Sequence, residues 1–160
     1  MGKISIVTLS VDALRPYANN AKTHKDFDVA AIAESIKAFG FNDPIGIWSD
    51  KNIIVEGHGR LLAAKKLGMR EVPCIRLDFL SDEERRAYAL AHNKTAELSE
   101  WDEDKLYGEM SELEYDWSLF GFDAEQTENA DRFSQTEYDL DTFSDEEFRY
   151  ECPECGFKFN

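Results

Sequence analysis

Residues 52–77, NIIVEGHGRLLAAKKLGMREVPCIRL, decide the fold of this chain. A β-prone apolar run ends in the carboxylate of Glu56 and breaks at Gly57-His58-Gly59; Arg60 to Leu67 then has the composition of a short helix closed by Gly68. A strand that passes through glycines into a helix is a building unit of α/β sheets. The helix start leaves backbone N–H groups unpaired and partly positive, so a glycine-rich turn there can wrap an anion such as phosphate. Gly57 and Gly59 would allow close backbone approach, and Arg60 would add a two-pronged charge to a phosphate oxygen. Ala63 and Ala64 keep the helix slim enough to pack on a sheet. Glu56 is placed as a general base or, through water, as an anchor for Mg²⁺, and His58 as a hydrogen-bond donor or proton shuttle. A plainer alternative has Glu56 and Arg60 salt-bridged to each other and His58 merely exposed.

Working outward, EVPCIRLDF supplies a strand after the helix, while PIGIW and NIIVE form a strand pair joined through Ser49-Asp50-Lys51. Val29, Ile32, Ile36 and Phe39 recur at helical spacing, with Asp26 or Asp28 as N-cap and Gly40 past the end. Leu9 to Pro16 reads as a strand and turn leading into the polar loop YANNAKTHKDFD. Ser81 and Glu84 have capping-box spacing and open a helix through RRAYALAHN; another helix starts at Asp102, with Leu106, Met110 and Leu113 on one face. The pattern gives an α/β (α+β) core at 1–98, a helical extension at 99–123, an acidic linker at 124–150 and a cysteine tail at 151–160.

The net charge of −15 is uneven. Residues 1–96 hold 14 Lys/Arg against 12 Asp/Glu, whereas residues 97–160 hold 4 against 21. Nucleic acid is repelled by the second half, so any DNA contact is expected from the first. No long apolar block follows a basic start, which predicts a cytoplasmic protein with no membrane association. Cys74 lies in an apolar run and reads as an inert buried thiol. Trp48, Trp101, Trp117, Phe39, Phe41 and Phe79 read as core or domain-edge packing. Cys152 and Cys155, in CPECGFKF, form a zinc-knuckle half-site; two further ligands would have to come from Cys74, the histidines, a second subunit or a partner.

The blocks LRPYANNAKTH, IAESIKAFGFNDPIGIW, IIVEGHGRLLAAKKLGMREVPCIRL and AYALAHNKTAELSEWDEDKL, in this order, resemble the ParB/sulfiredoxin-like superfamily. They look most like ParB N-terminal (ParB-like nuclease) domains of phages and prophages, and the resemblance spans about residues 5–122. It implies a compact domain with a small mixed sheet flanked by helices. Gly57, Arg60 and Ala63 fall on the Gly-x-x-Arg-x-x-Ala phosphate motif, which in ParB proteins contacts the triphosphate of CTP. Asn20-Ala21-Lys22 falls on an Asn-x-Arg-like element with Lys22 in place of Arg, and Asn93 on the Asn of the nucleotide-contacting helix. An acidic residue before Gly-His, as in Glu56-Gly57-His58, resembles the free-serine kinases. Sulfiredoxins carry a catalytic cysteine in this turn; here His58-Gly59 stands there, which excludes sulfinic acid reduction.

The resemblance implies a nucleoside triphosphate, CTP or ATP, held with Mg²⁺ and used in DNA binding, modification or processing. The basic helix-turn-helix of partitioning ParB proteins has no counterpart here, so site-specific centromere binding is not expected. Two alternatives stay open: a nuclease or small-molecule phosphotransferase using Glu56, and a non-catalytic adaptor for a DNA methyltransferase or packaging protein. A homodimer is compatible with all three.

Overall fold

The computed structural model describes residues 5–135, 150–151 and 158–159. Strand β1 (Ile6–Ser10) runs into a 3-10 turn at Val11–Ala13, followed by α1 (Asp26–Phe39), β2 (Ile45–Trp48), β3 (Ile53–Glu56), α2 (His58–Lys66) and β4 (Glu71–Arg76). These build a mixed four-stranded sheet in the order β1-β4-β2-β3. β1 and β3 lie antiparallel to their neighbours, and β2 runs parallel to β4, with Ile45 opposite Cys74. A parallel pair needs a crossover, and β3 with α2 provides it. The turn between β3 and α2 therefore sits at one end of the sheet.

Burial explains why these segments hold together. Ile45, Ile47, Ile54, Leu61, Val72 and Cys74 are fully buried, joining sheet and α2 in one core with Val11, Leu14 and Ala64. At roughly 25 cal/mol per Å² of apolar surface, each large aliphatic side chain contributes about 1.5–3 kcal/mol. A second cluster of Val29, Ala33 and Ala63 locks α1 onto α2, and Ala63, at 0% exposure, has space for nothing larger. Burial pushes the Cys74 thiol above its usual pKa, with Arg76 opposing, so this sulfur is a packing group.

α3 (Asp82–Ala96) opens on the expected box: Ser81 Oγ accepts from Glu84 N at 3.2 Å, and Glu84 Oε2 accepts from Ser81 N at 2.8 Å. α4 (Glu103–Glu112) is capped by Asp102. A 3-10 turn at Trp117–Phe120 folds back on α1, where Phe39 meets Phe120 and Tyr115 with centroids 5.4 and 5.5 Å apart. Trp48 Nε1 donates to Leu80 O and Trp117 Nε1 to Met110 O; Trp101, 68% exposed, packs at the edge against Phe122 with centroids 6.2 Å apart, and Phe79 is 49% exposed.

Several boundaries differ from expectation for local reasons. The first strand ends at Ser10, because the Ser10 hydroxyl accepts from Asp12 N and turns the chain. α1 begins at Asp26 with Lys25 at the cap, while Asp28 supplies the return bond to Lys25 N at 3.0 Å. α2 starts at His58, two residues earlier than expected, since Gly57 takes the left-handed turn (φ +89°) alone. Residues 124–150 are not all linker: α5 (Ala124–Gln135) packs on α4, burying Met110 and Ala130. β5 (Tyr150–Glu151) and β6 (Lys158–Phe159) form an antiparallel pair, and Cys152 and Cys155 lie outside the described residues.

Candidate functional site: a cavity at the Gly-His-Gly-Arg turn

A cavity of about 170 Å³ opens where β3 turns into α2. Its wall carries Asn20, Lys22 and His24 from the polar loop, Ile32 from α1, Glu56 to Arg60 from the turn, and His92 and Asn93 from α3. Segments far apart in sequence thus bring Asn20, Lys22, Glu56, Gly57, His58, Gly59, Arg60 and Asn93 to one place. Ala63 is not among them; it faces the α1–α2 interface.

The turn is shaped by its neighbours. A Cβ on Gly57 would lie 2.8 Å from Arg60 Nε, because the arginine folds back across the turn. A Cβ on Gly59 would meet Ile32 Cδ1 at 2.9 Å and the His24 ring at 3.1 Å. Arg60 pairs with Asp43 rather than with Glu56, and its Nε is buried without a partner. Burial lowers the Arg60 pKa, the nearby Tyr88 opposing, yet a guanidinium stays charged. A charged, desolvated group with an unused donor beside unpaired helix N–H groups is suited to an anion.

Glu56 does not meet the plainer expectation either. Its side chain is 12% exposed; Oε2 accepts from Tyr88 Oη at 3.3 Å and lies 2.6 Å from His92 Nε2. Burial, then the Glu56 carboxylate, raises the Tyr88 pKa above 10.0, so the phenol keeps its proton and donates. Gly46 lies opposite Glu56 in the β2–β3 pair, where a Cβ would come within 2.5 Å of Glu56 Cγ. His58 Nε2 accepts from Tyr17 N at 3.1 Å, which ties the polar loop to α2. Burial first and His24 second lower the His58 pKa from 6.5, so the ring accepts as the neutral form instead of shuttling protons through that nitrogen.

The loop is braced further. Asn20 Nδ2 donates to Lys22 O at 2.8 Å, and Lys22 Nζ lies 3.7 Å from Glu97. The Arg85 guanidinium sits between the Tyr17 and Trp48 rings, 4.8 and 4.6 Å from their centroids. Sequence reasoning passed over His24, Ile32, Tyr88 and His92 as site residues. For the last two a signal existed: they are four apart on one helix, next to Asn93, and so share its face.

The family model of the ParB N-terminal domain matches residues 2–94. This chain belongs to that family. The ParB-like nuclease domain-containing protein YnaK of Escherichia coli K12 is 45% identical over 84 residues, covering 52% of this chain and 95% of the relative. Among solved structures, the C-terminally truncated chromosome-partitioning protein ParB from Caulobacter crescentus, complexed with CTP-gamma-S, superposes with a TM-score of 0.61. Identity is 18%, over 89% of this chain and 81% of that one, so the likeness concerns the fold. Sulfiredoxin from Arabidopsis thaliana aligns at 23% identity over 54% of this chain and 97% of that one, with a TM-score of 0.44. The core of this ParB-family domain is followed by α4 and α5, and none of its described helices is long and apolar enough to cross a membrane.

Proposed function

We propose that this ParB-family protein binds a nucleoside triphosphate through its phosphates at the Gly57–Arg60 turn and uses that binding in a DNA transaction, as a protein of phage or prophage type. The observation that carries the reading is Arg60: a partly buried guanidinium, paired with Asp43, whose buried Nε has no partner among the described residues, at the wall of a cavity that opens onto a helix start. Lys22 and Asn93 face the same space and supply a second charge and an amide. CTP is the first nucleotide to test, because the similar Caulobacter protein was solved with CTP-gamma-S.

The residues do not fit a Mg²⁺ held by the protein itself. Glu56 is the cavity's lone carboxylate among the described residues, and its Oε2 is already engaged by Tyr88 and His92. Mg²⁺ is therefore assigned to the phosphate oxygens of the ligand. Calorimetric titration of the full chain with CTP, ATP and GTP in Mg²⁺ should show one preferred nucleotide. An Arg60→Ala protein that keeps full affinity sinks the reading.

A second reading, a nuclease or phosphotransferase, draws on the Glu56 carboxylate braced by Tyr88 and His92 and on the YnaK likeness. Turnover lost in Glu56→Gln, with binding kept, would favour it. For the tail we propose Zn²⁺ at Cys152 and Cys155, flanked by the antiparallel β5–β6 pair. Cys74 is enclosed in the sheet core and the three histidines serve the cavity wall, so a second copy of the chain would complete four ligands. Metal analysis of the purified protein should find zinc, and a Cys152→Ser protein that retains the same content would refute it.

A further inference from the structure

We propose that His92 and Tyr88 are positioning residues that hold Glu56 as a general base toward water attacking the terminal phosphorus of the bound nucleotide. The proposal rests on the nucleotide-binding reading above. His92 Nε2 stands 2.6 Å from Glu56 Oε2 and Tyr88 Oη donates to the same oxygen at 3.3 Å, so both side chains brace one edge of the carboxylate, while Oε1 has no hydrogen-bond partner among the described residues. The other ring nitrogen, His92 Nδ1, is buried and unpartnered, so among the described residues the polar contact of this side chain is with Glu56. Gly46 gives the carboxylate its room from the opposite strand. Two polar side chains one helical turn apart on α3, both set against one mostly buried carboxylate beside the Gly57–Arg60 turn, match the base-and-orienter arrangement of nucleophile activation.

The nucleophile of the proposed step is water. In the step, the water oxygen bonds to the terminal phosphorus while one of its protons passes to Glu56. The bond from that phosphorus to the bridging oxygen breaks, and the oxygen leaves with the bonding pair on the nucleoside diphosphate. Inorganic phosphate is the other product, and the Glu56 proton returns to solvent.

The experiment measures binding and phosphate release separately on the full chain, with CTP, ATP and GTP in turn. His92→Ala should lower kcat about a hundredfold with KM unchanged, the lower end of what a positioned base contributes. His92→Gln, whose amide can donate to Glu56, should recover part of the rate, and Tyr88→Phe should lose a smaller part. Wild-type kcat in His92→Ala overturns the proposal. So does a loss of rate that merely follows a loss of melting temperature, with His92→Gln no better. Wild-type protein that binds a nucleotide and releases no phosphate overturns this step while leaving the binding reading intact. Absence of binding to all three nucleotides overturns both.

Discussion

The turn at residues 56–60 and the α4–α5 extension are built on opposite principles. The turn is fixed from all sides: its glycines are hemmed in by Arg60, Ile32 and His24, and its carboxylate by Gly46, Tyr88 and His92. The α4–α5 extension is held mainly by rings and a few small buried residues, its charged side chains turned to solvent. Close constraint marks a place where geometry matters for chemistry; loose constraint marks a surface that tolerates change. Substitutions should therefore separate the two regions cleanly.

The largest effect is expected at Gly46. Gly46→Val drives a side chain into Glu56, an overpacking cost of about 1–3 kcal/mol, and should also weaken nucleotide binding. Thermal melts and titrations of the same preparation check both. Arg60→Ala should cost about 10- to 100-fold in nucleotide affinity with little change in melting temperature, since charge-assisted hydrogen bonds contribute about 1.5–3 kcal/mol. Phe120→Ala is the converse: a loss of about 1–2 kcal/mol from the ring cluster, with affinity untouched. If affinity falls in step with stability, the two regions are coupled and the contrast fails.

Asp43→Asn should raise affinity a little. Asp43 is 72% exposed, and freeing Arg60 from a solvent-screened ion pair of about 0.2–1 kcal/mol gives roughly a 1.5- to 5-fold gain. The smallest effect concerns pH. His58 has a folded pKa below its unfolded value, so the unfolded chain takes up the proton more readily. The stabilising contribution is complete above about pH 6.5 and is lost as pH falls through that value toward the folded pKa. Melting temperature should drop on that side, and His58→Gln should flatten the slope.

Much of the core was legible because its signals are local. The 3.6-residue spacing of Val29, Ile32 and Ile36, the Ser81–Glu84 box and the break at Gly57 each depend on neighbours in sequence. α5 was not, because its residues are polar and acidic; it exists where Ala130 packs against α4. The partners of Glu56 and Arg60 escaped for a similar reason. His92 and Asp43 reach them only after α3 and the segment before β2 have folded onto the sheet edge. Sequence spacing identified the groups that bear charge, and tertiary folding decided which of them meet.

The hairpin between β2 and β3 acts on the cavity from the far end of the strands. Ser49 and Asn52 adopt left-handed φ values of 64° and 50°, pinned by Asp78 on the Ser49 amide and by Arg76 on the Ser49 carbonyl and the Asn52 side chain. β3 is four residues long, and successive side chains of a strand alternate between faces. A single-residue insertion in the hairpin would thus put Val55 in the place of Glu56 and turn the carboxylate to the other face of the strand, away from Tyr88 and His92. Whatever chemistry this domain performs is keyed to the length of a loop whose residues lie outside the cavity wall, and natural variation in that loop should be confined to changes of residue type.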